Sequence, residues 1–189
     1  MRRFGVPVIL GAFQIMTAMA QLDLSPQPDS FDLDGIQISQ LIFANGRMPK
    51  VSYQPPRDWK CTGQKDQLDI QPAKLSQASA RAILLPEGEI ITLDESGKEQ
   101  LKRKALLSLP DGNQDVEVTS EEVDPMRING LHTYLIELKY VFFGEKFACY
   151  SLTVNRRPQA LNFRLTCREK DYAELRRAFE ASLYTWQNL

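Results

Sequence analysis

The side chains best able to do chemistry in this sequence are one histidine and three cysteines. The histidine is His132, and the cysteines are Cys61, Cys149 and Cys167. A thiolate beside an imidazole is the nucleophile of many hydrolases and redox proteins, yet no local signature of such an enzyme surrounds any of the four residues. His132 lies at the start of a predicted strand, where a surface histidine with a satisfied hydrogen bond is more common. We therefore predict no catalytic residue and, on balance, no enzyme. A small cysteine-dependent hydrolase or redox protein is the alternative hypothesis.

The pairing of the cysteines is left open by the sequence. Their spacing fits no zinc pattern. In an oxidising compartment one pair can form a disulfide and leave one thiol over. The alternation of apolar residues on two predicted strands places Cys149 and Cys167 on opposite faces of a sheet, so Cys61 with either partner is an equal alternative. Three buried free thiols are as compatible with the sequence as one disulfide.

Acidic residues are concentrated in one stretch, but they do not form a metal-binding motif. Carboxylates are frequent between residues 115 and 124, and their spacing fits no calcium loop. Alternation places Asp115 and Glu117 on the solvent side of a strand, where charge discourages edge-to-edge aggregation. The chain also lacks a glycine-rich phosphate loop and a nucleophile-elbow motif. We predict no metal site and no cofactor.

The first twenty residues, 1–20, have the features of a signal peptide. Arg2 and Arg3 precede a largely apolar stretch, and Ala18-Met19-Ala20 places small residues at the −3 and −1 positions of a cleavage site. The apolar stretch is short for a membrane span. We predict an exported protein, periplasmic or extracellular, with no stable membrane anchor after cleavage. An uncleaved anchor, or an N-terminal helix packed on the domain, is the alternative.

Charge and length limit the function classes of the mature chain. The sequence has 23 basic and 24 acidic side chains; two of the basic ones lie in the signal, so the mature protein is mildly acidic. Nucleic-acid binding depends on a basic surface, and we predict no nucleic-acid partner. The length remaining after cleavage suits one domain with a real core.

Hydrophobic periodicity predicts a single α+β domain over residues 35–189, preceded by a flexible leader over residues 21–34. An amphipathic helix is predicted over residues 95–109, with Asp94 or Ser96 as its N-cap. Three long strands then form an antiparallel meander, and a second amphipathic helix ends the domain, begun by Asp171 and Glu174 as a capping box. The strands are predicted over residues 36–44, 51–53, 68–70, 80–85, 116–119, 132–143, 146–155 and 159–167, and the last helix over 172–186.

The order of these elements, with two loose motifs, resembles the PsbP-like superfamily. The motifs are Y-x-P-P-x-x-W from Tyr53 to Trp59 and F-x-x-S from Phe179 to Ser182. The superfamily is named for an extrinsic subunit of photosystem II and includes a Ran-binding nuclear transport factor and bacterial exported proteins of unknown role. The resemblance implies an α-β-α sandwich around a central antiparallel sheet, with a C-terminal amphipathic helix.

The same resemblance implies protein binding more often than catalysis, and it supplies no catalytic residue. It makes Trp59, Phe179 and Ser182 structural. The chain has no evident metal or chloride site like that of the photosystem member, so that role is not carried over. The sequence thus predicts an exported, non-enzymatic binding module, engaged in protein–protein interaction in the cell envelope or holding a small ligand.

Aromatic side chains crowd one predicted hairpin, the tight turn at residues 143–146. Tyr140, Phe142, Phe143, Phe147 and Tyr150 all lie on it. A sheet that is apolar on both sides must be covered twice, by helices or by a partner. We expect burial between the two helices, with a groove for a partner as the alternative.

Overall fold

The computed structural model describes residues 22–46, 49–89 and 91–189, so the predicted signal peptide lies outside the described residues. The described chain is an α+β protein with two antiparallel sheets and two helices. The elements, in chain order, are β1 (Gln27–Leu33), β2 (Ile36–Phe43), β3 (Val51–Tyr53), β4 (Trp59–Gln64), β5 (Gln67–Pro72), β6 (Ser79–Leu84), α1 (Glu95–Leu107), β7 (Gln114–Val123), β8 (Thr133–Phe142), β9 (Glu145–Val154), β10 (Leu161–Arg168), α2 (Glu169–Leu183) and β11 (Gln187–Asn188). Neither described helix has the length and apolar character that a membrane crossing requires.

The larger sheet has seven strands in the order β4-β5-β6-β10-β9-β8-β7. The predicted meander of β8, β9 and β10 is confirmed: the three strands pair antiparallel in chain order along their full length. Strand β6 then pairs with β10 rather than with β7, so the meander occupies the centre of the sheet. Polar strand β7 forms one edge, where its exposed carboxylates discourage further strand pairing.

The two helices cover opposite faces of this sheet. Leu101 and Ala105 of α1 pack with even-numbered residues of β8 such as Ile136. Phe179 of α2 packs with the odd-numbered Leu135 and with the apolar rows of β9 and β10. Because successive strand residues point to opposite sides, α1 and α2 lie on different faces. Each face therefore has its own core.

The smaller sheet joins the two ends of the described chain, in the order β1-β2-β3-β11. Residues 22–34, predicted as part of a flexible leader, are instead ordered. They form β1, which pairs with β2 along seven residues, and Leu22 and Leu24 are fully buried. The leader packs closely on the turn between β4 and β5: a Cβ added to Gly63 would lie 2.3 Å from the Leu24 carbonyl oxygen. The proline and polar residues of this segment predicted flexibility, because its order depends on tertiary contacts that the local composition does not show.

The start of α1 agrees with the prediction from the sequence, and the start of α2 does not. Asp94 caps α1 as predicted, its carboxylate accepting from the Gly97 amide at 2.8 Å. Helix α2 begins earlier than predicted, directly after Arg168, and no side chain caps it. Strand β10 therefore passes into α2 without a loop, and the predicted capping box of Asp171 with Glu174 does not mark the start.

Candidate ligand cavity beneath the aromatic hairpin

His132 is a surface residue whose imidazole contacts the carboxylate of Asp124. Its side chain is 57% exposed, and its Nδ1 lies 2.7 Å from a carboxylate oxygen of Asp124. Asp124 also accepts from the Thr133 amide, and this hydrogen bond together with His132 lowers the pKa of Asp124. The contacts of Asp124 with His132 and Thr133 connect the end of β7 to the start of β8.

All three cysteines are free thiols and lie far from His132. Cys149 is opposite Leu138 on β8, which places it about 20 Å along the strand from His132. Cys61 lies on β4, five strands away from β8, or about 24 Å. Cys149 and Cys167 belong to different cores, on opposite faces as predicted. A cysteine–histidine enzyme requires a thiol within hydrogen-bond reach of the histidine. Within the described residues, no thiol comes that close to His132.

The thiols are expected to be unreactive in the native protein. Burial raises the pKa of Cys61 to about 11 and that of Cys167 to about 12, and it also raises the pKa of Cys149. At pH 8 a thiol of pKa 11 is ionised in about one molecule in a thousand. We expect no rapid labelling by a chromogenic disulfide reagent in the native state and three labelled thiols in denaturant without reductant. A native thiol that reacts fast, and slows in His132→Ala, would contradict this expectation and revive the enzyme hypothesis.

The tip of the β8–β9 hairpin carries a cluster of aromatic rings. The turn consists of Phe143 and Gly144, both with positive φ (49° and 76°), as in the tight turns that join antiparallel strands. Phe142 contacts Phe143 with ring centroids 4.4 Å apart, and Phe147 stacks on Tyr140 at 5.6 Å. Phe143 is 90% exposed. The expected burial between helices therefore holds at the base of the hairpin but not at its tip.

A cavity of about 660 Å³ lies beneath this tip, and we call it the hairpin cavity. It opens on the face of the large sheet that α1 covers, beside Ser108 and Pro110, where that helix has just ended. Its volume lies in the range of pockets that bind small organic ligands. The residues that give it its character are Tyr140, Phe142, Phe143, Phe147, Arg81 and Arg164.

Arg164 lies in the middle of the large sheet without a carboxylate partner. The register places it directly opposite Arg81, and Arg81 directly opposite Asp69. Asp69 accepts from Arg81 at 2.9 Å, so this carboxylate pairs with Arg81 and not with Arg164. In the part of the chain that the structure describes, the Arg164 guanidinium has no hydrogen bond or ion pair, and its Nε is buried. Like charges directly opposite each other destabilise a sheet, so the pairing of Arg81 with Arg164 lowers the stability of this part of the sheet.

The groups around Arg164 do not neutralise its charge. Burial raises the pKa of Tyr140 to about 12 and also raises that of Cys149, so both stay uncharged at neutral pH. Glu145, at the rim of the cavity, is already paired with Arg168 at 2.6 Å. Burial lowers the pKa of Arg164, but an arginine remains protonated because its ordinary pKa is so high. The hairpin cavity therefore holds an uncompensated positive charge.

A second cavity of about 610 Å³ lies between the turn after β9 and the end of α2. Arg156 and Arg157 line it, with Trp186 and several asparagines. Here the Arg156 guanidinium already donates to Asn45 Oδ1 at 2.7 Å. Arg157 is exposed to solvent, whereas the Arg164 Nε is buried and, among the described residues, has no acceptor. The hairpin cavity is therefore the better candidate for a binding site.

The arginines of the hairpin cavity were not singled out from the sequence. The polar row Asn162, Arg164, Thr166 alternates with the apolar row of β10, which the sequence does show. The pairing of β10 with β6 is what brings Arg81 opposite Arg164, and the sequence gives no sign of that pairing. No group of three metal-ligating side chains occurs in the described residues, and the absence of a metal site stays a prediction.

The residues that the resemblance made structural do pack in the core. The Trp59 ring is stacked on Phe179, with centroids 6.3 Å apart and planes at 5°. The Ser182 hydroxyl bonds the Tyr53 hydroxyl at 2.9 Å and donates to the Phe179 carbonyl. The two motifs thereby fasten α2 to the strands on its face of the large sheet.

A seven-stranded antiparallel sheet with one helix on each face, of which the C-terminal helix is fastened by these motifs, defines an α+β protein with the PsbP-like fold. The structure is similar to the solution structure of cyanobacterial PsbP (CyanoP) from Synechocystis sp. PCC 6803, with a TM-score of 0.57 and 14% sequence identity over 95% of this chain and 99% of that one. The resemblance seen in the sequence is confirmed at the level of the fold.

Two further solved structures are more distant. One is a protein of unknown function from Pseudomonas aeruginosa, described as a putative regulator, with a TM-score of 0.45 and 11% identity over 86% of this chain and 98% of that one. The other is a Mog1 variant, with a TM-score of 0.46 and 9% identity over 84% and 87%. No family model matches the sequence, and no curated protein matches it.

Proposed function

We propose that this chain is an exported, non-enzymatic binding module on an α-β-α sandwich, and that the hairpin cavity is its binding site. The observation that carries the proposal is the cavity itself. It combines an apolar wall of four aromatic rings with a guanidinium that has no internal acceptor. Binding pockets typically pair a mostly apolar lining with a few convergent polar groups.

The positions of the reactive side chains, within the described residues, support binding rather than catalysis. The three thiols are free and lie far from His132, and burial keeps them protonated. The hairpin cavity contains a neutral tyrosine, two arginines and one carboxylate that is already paired. None of these is a nucleophile beside a base, which acyl transfer or hydrolysis requires.

We further propose that the partner at this site is a protein of the cell envelope. The specific observation in favour is Phe143, which is 90% exposed at the rim of the cavity. An isolated exposed phenylalanine is unremarkable, but here Phe142 and Phe147 continue the apolar surface into the cavity. Aromatic side chains in such a position are typical anchors of protein interfaces.

Site-specific photocross-linking in intact cells tests both the export and the partner. A photoreactive phenylalanine at position 143 is expected to give one discrete protein adduct in the exported fraction, and the processed chain is expected to begin at Gln21. The matched control places the same residue at Tyr184, which is 60% exposed at the end of α2, on the other face of the sheet.

The control decides whether the adduct reports a specific surface. An adduct from position 143 and none from position 184 supports the proposal. Equal labelling from both positions, or no adduct from 143 at normal expression, would count against a protein partner at the hairpin. A chain recovered only in the cytoplasm with its first twenty residues intact would count against export.

A further inference from the structure

Among the described residues, the Arg164 guanidinium has no acceptor. A guanidinium has five N–H donors and no acceptor. A buried donor without a hydrogen bond costs free energy, and the cost is larger when the donor is charged. The carboxylate that the sheet provides, Asp69, is engaged by Arg81 on the strand between them. Glu145 is engaged by Arg168. Water or a bound anion is what remains.

The surroundings of Arg164 favour an anion with an apolar body over a bare inorganic ion. Tyr140 and Phe147 form a stacked pair on the cavity wall, and Phe142 contacts Phe147 edge-on at 6.2 Å. Such rings gain from covering an apolar or aromatic surface. The polar side chains Ser79 and Thr166 lie beside Arg164 and Arg81, where they can donate to the oxygens of an acidic group.

We infer that the group bound in the hairpin cavity is an organic anion, an acidic head on an aromatic or apolar body, whose acidic oxygens are bound by Arg164. This inference rests on the proposed binding function and names the chemistry of its ligand. Arg164 presents a planar fork that suits a carboxylate or a similar oxyanion. The acidic head belongs either to a free molecule or to an acidic side chain of the protein partner, and the two sources are separated below.

Two fluorescent probes of nearly the same shape test the charge requirement. One is 1-anilinonaphthalene-8-sulfonate, an anion, and the other is N-phenyl-1-naphthylamine, its uncharged counterpart. We expect the anion to bind the native protein more tightly than the neutral probe. In Arg164→Met, which keeps most of the apolar stem, we expect the affinity for the anion to fall about tenfold or more, because a charge-assisted hydrogen bond is lost. Affinity for the neutral probe should change less than about twofold.

Two other variants show that the effect is local. Arg157→Met removes an exposed arginine that lines the second cavity and should leave the affinity for the anion within about twofold. Arg164→Lys keeps the charge but loses the fork, so an intermediate affinity is expected. Thermal unfolding of each variant confirms that it is folded before probe binding is compared.

The outcomes separate this inference from the proposed function. Equal binding of both probes, with no effect of Arg164→Met, would overturn the anion while leaving an apolar binding site and the cross-link at position 143 intact. No binding of either probe would overturn the cavity as a ligand site. If Arg164→Met abolishes the cross-linked adduct, the anion belongs to the protein partner. If the adduct persists and native mass spectrometry finds a small acid on the wild type but not on the variant, the anion is a free molecule.

Discussion

Replacing Phe179 with alanine is expected to lower the free energy of unfolding by about 3–5 kcal/mol. The side chain is fully buried in α2. Its ring is stacked on Trp59 and meets Tyr150 edge-on, with centroids 6.0 Å apart. The substitution removes the apolar contact and leaves a cavity that these two rings cannot fill without leaving their own contacts. Denaturant unfolding followed by tryptophan fluorescence measures the change.

Phe143→Ala is the matched control for this prediction. It removes the same kind of ring from a position that is almost fully exposed. Position 143 has a positive φ, and phenylalanine and alanine are both L-residues with a Cβ, so the backbone strain there is similar before and after the substitution. We expect a change within about 0.5 kcal/mol. A loss below about 1.5 kcal/mol in Phe179→Ala would mean that the core collapses around the vacancy, and that the F-x-x-S motif does not fasten α2.

The second large effect is expected at Glu137, a carboxylate beneath α2. Its side chain is 10% exposed, the Tyr172 hydroxyl donates to it, and the Arg176 guanidinium lies 3.3 Å away. Glu137→Ala should cost about 2–4 kcal/mol, because removing one partner leaves buried donors without an acceptor. Glu137→Gln, which keeps an acceptor oxygen for Tyr172 and loses only the charge, should cost less.

Glu180→Ala separates this buried contact from ordinary surface pairing. Glu180 contacts the same guanidinium at 3.4 Å, but from the solvent side, one helical turn along α2. We expect about 0.5 kcal/mol or less for its removal. If the two alanine variants lose equal stability, the contact beneath the helix contributes no more than a surface pair, and the expectation for Glu137 is wrong.

Periodicity was enough to predict the centre of the fold, because each central strand has one apolar row. Tyr150, Leu152 and Val154 on β9 face the same core as Leu161 and Phe163 on β10, and this alternation is visible in the sequence. Strand β1 was missed because its side chains are exposed along its whole length. What holds it is pairing with β2 and the burial of Leu22 and Leu24, and none of these leaves a periodic signal.

The candidate site was harder to predict, because it depends on which strands become neighbours. The sequence shows the aromatic residues of the hairpin and offers a partner groove as an alternative to their burial. Arg81 and Arg164 are 83 positions of chain apart in numbering, and only the pairing of β6 with β10 makes them neighbours. An unpaired arginine in a sheet can be recognised only once its cross-strand neighbours are known.

The proximity of Arg81 and Arg164 also affects the stability of the folded protein. Arg81 and Arg164 lie directly opposite each other on β6 and β10, and only Arg81 has a carboxylate partner, so their like charges oppose the pairing of these two strands. An occupant that supplies negative charge would relieve this opposition and, by mass action, raise the melting temperature with its concentration. The protein without this occupant is therefore the less stable form, because the arginine side chains that would bind the anion also oppose the pairing of β6 with β10.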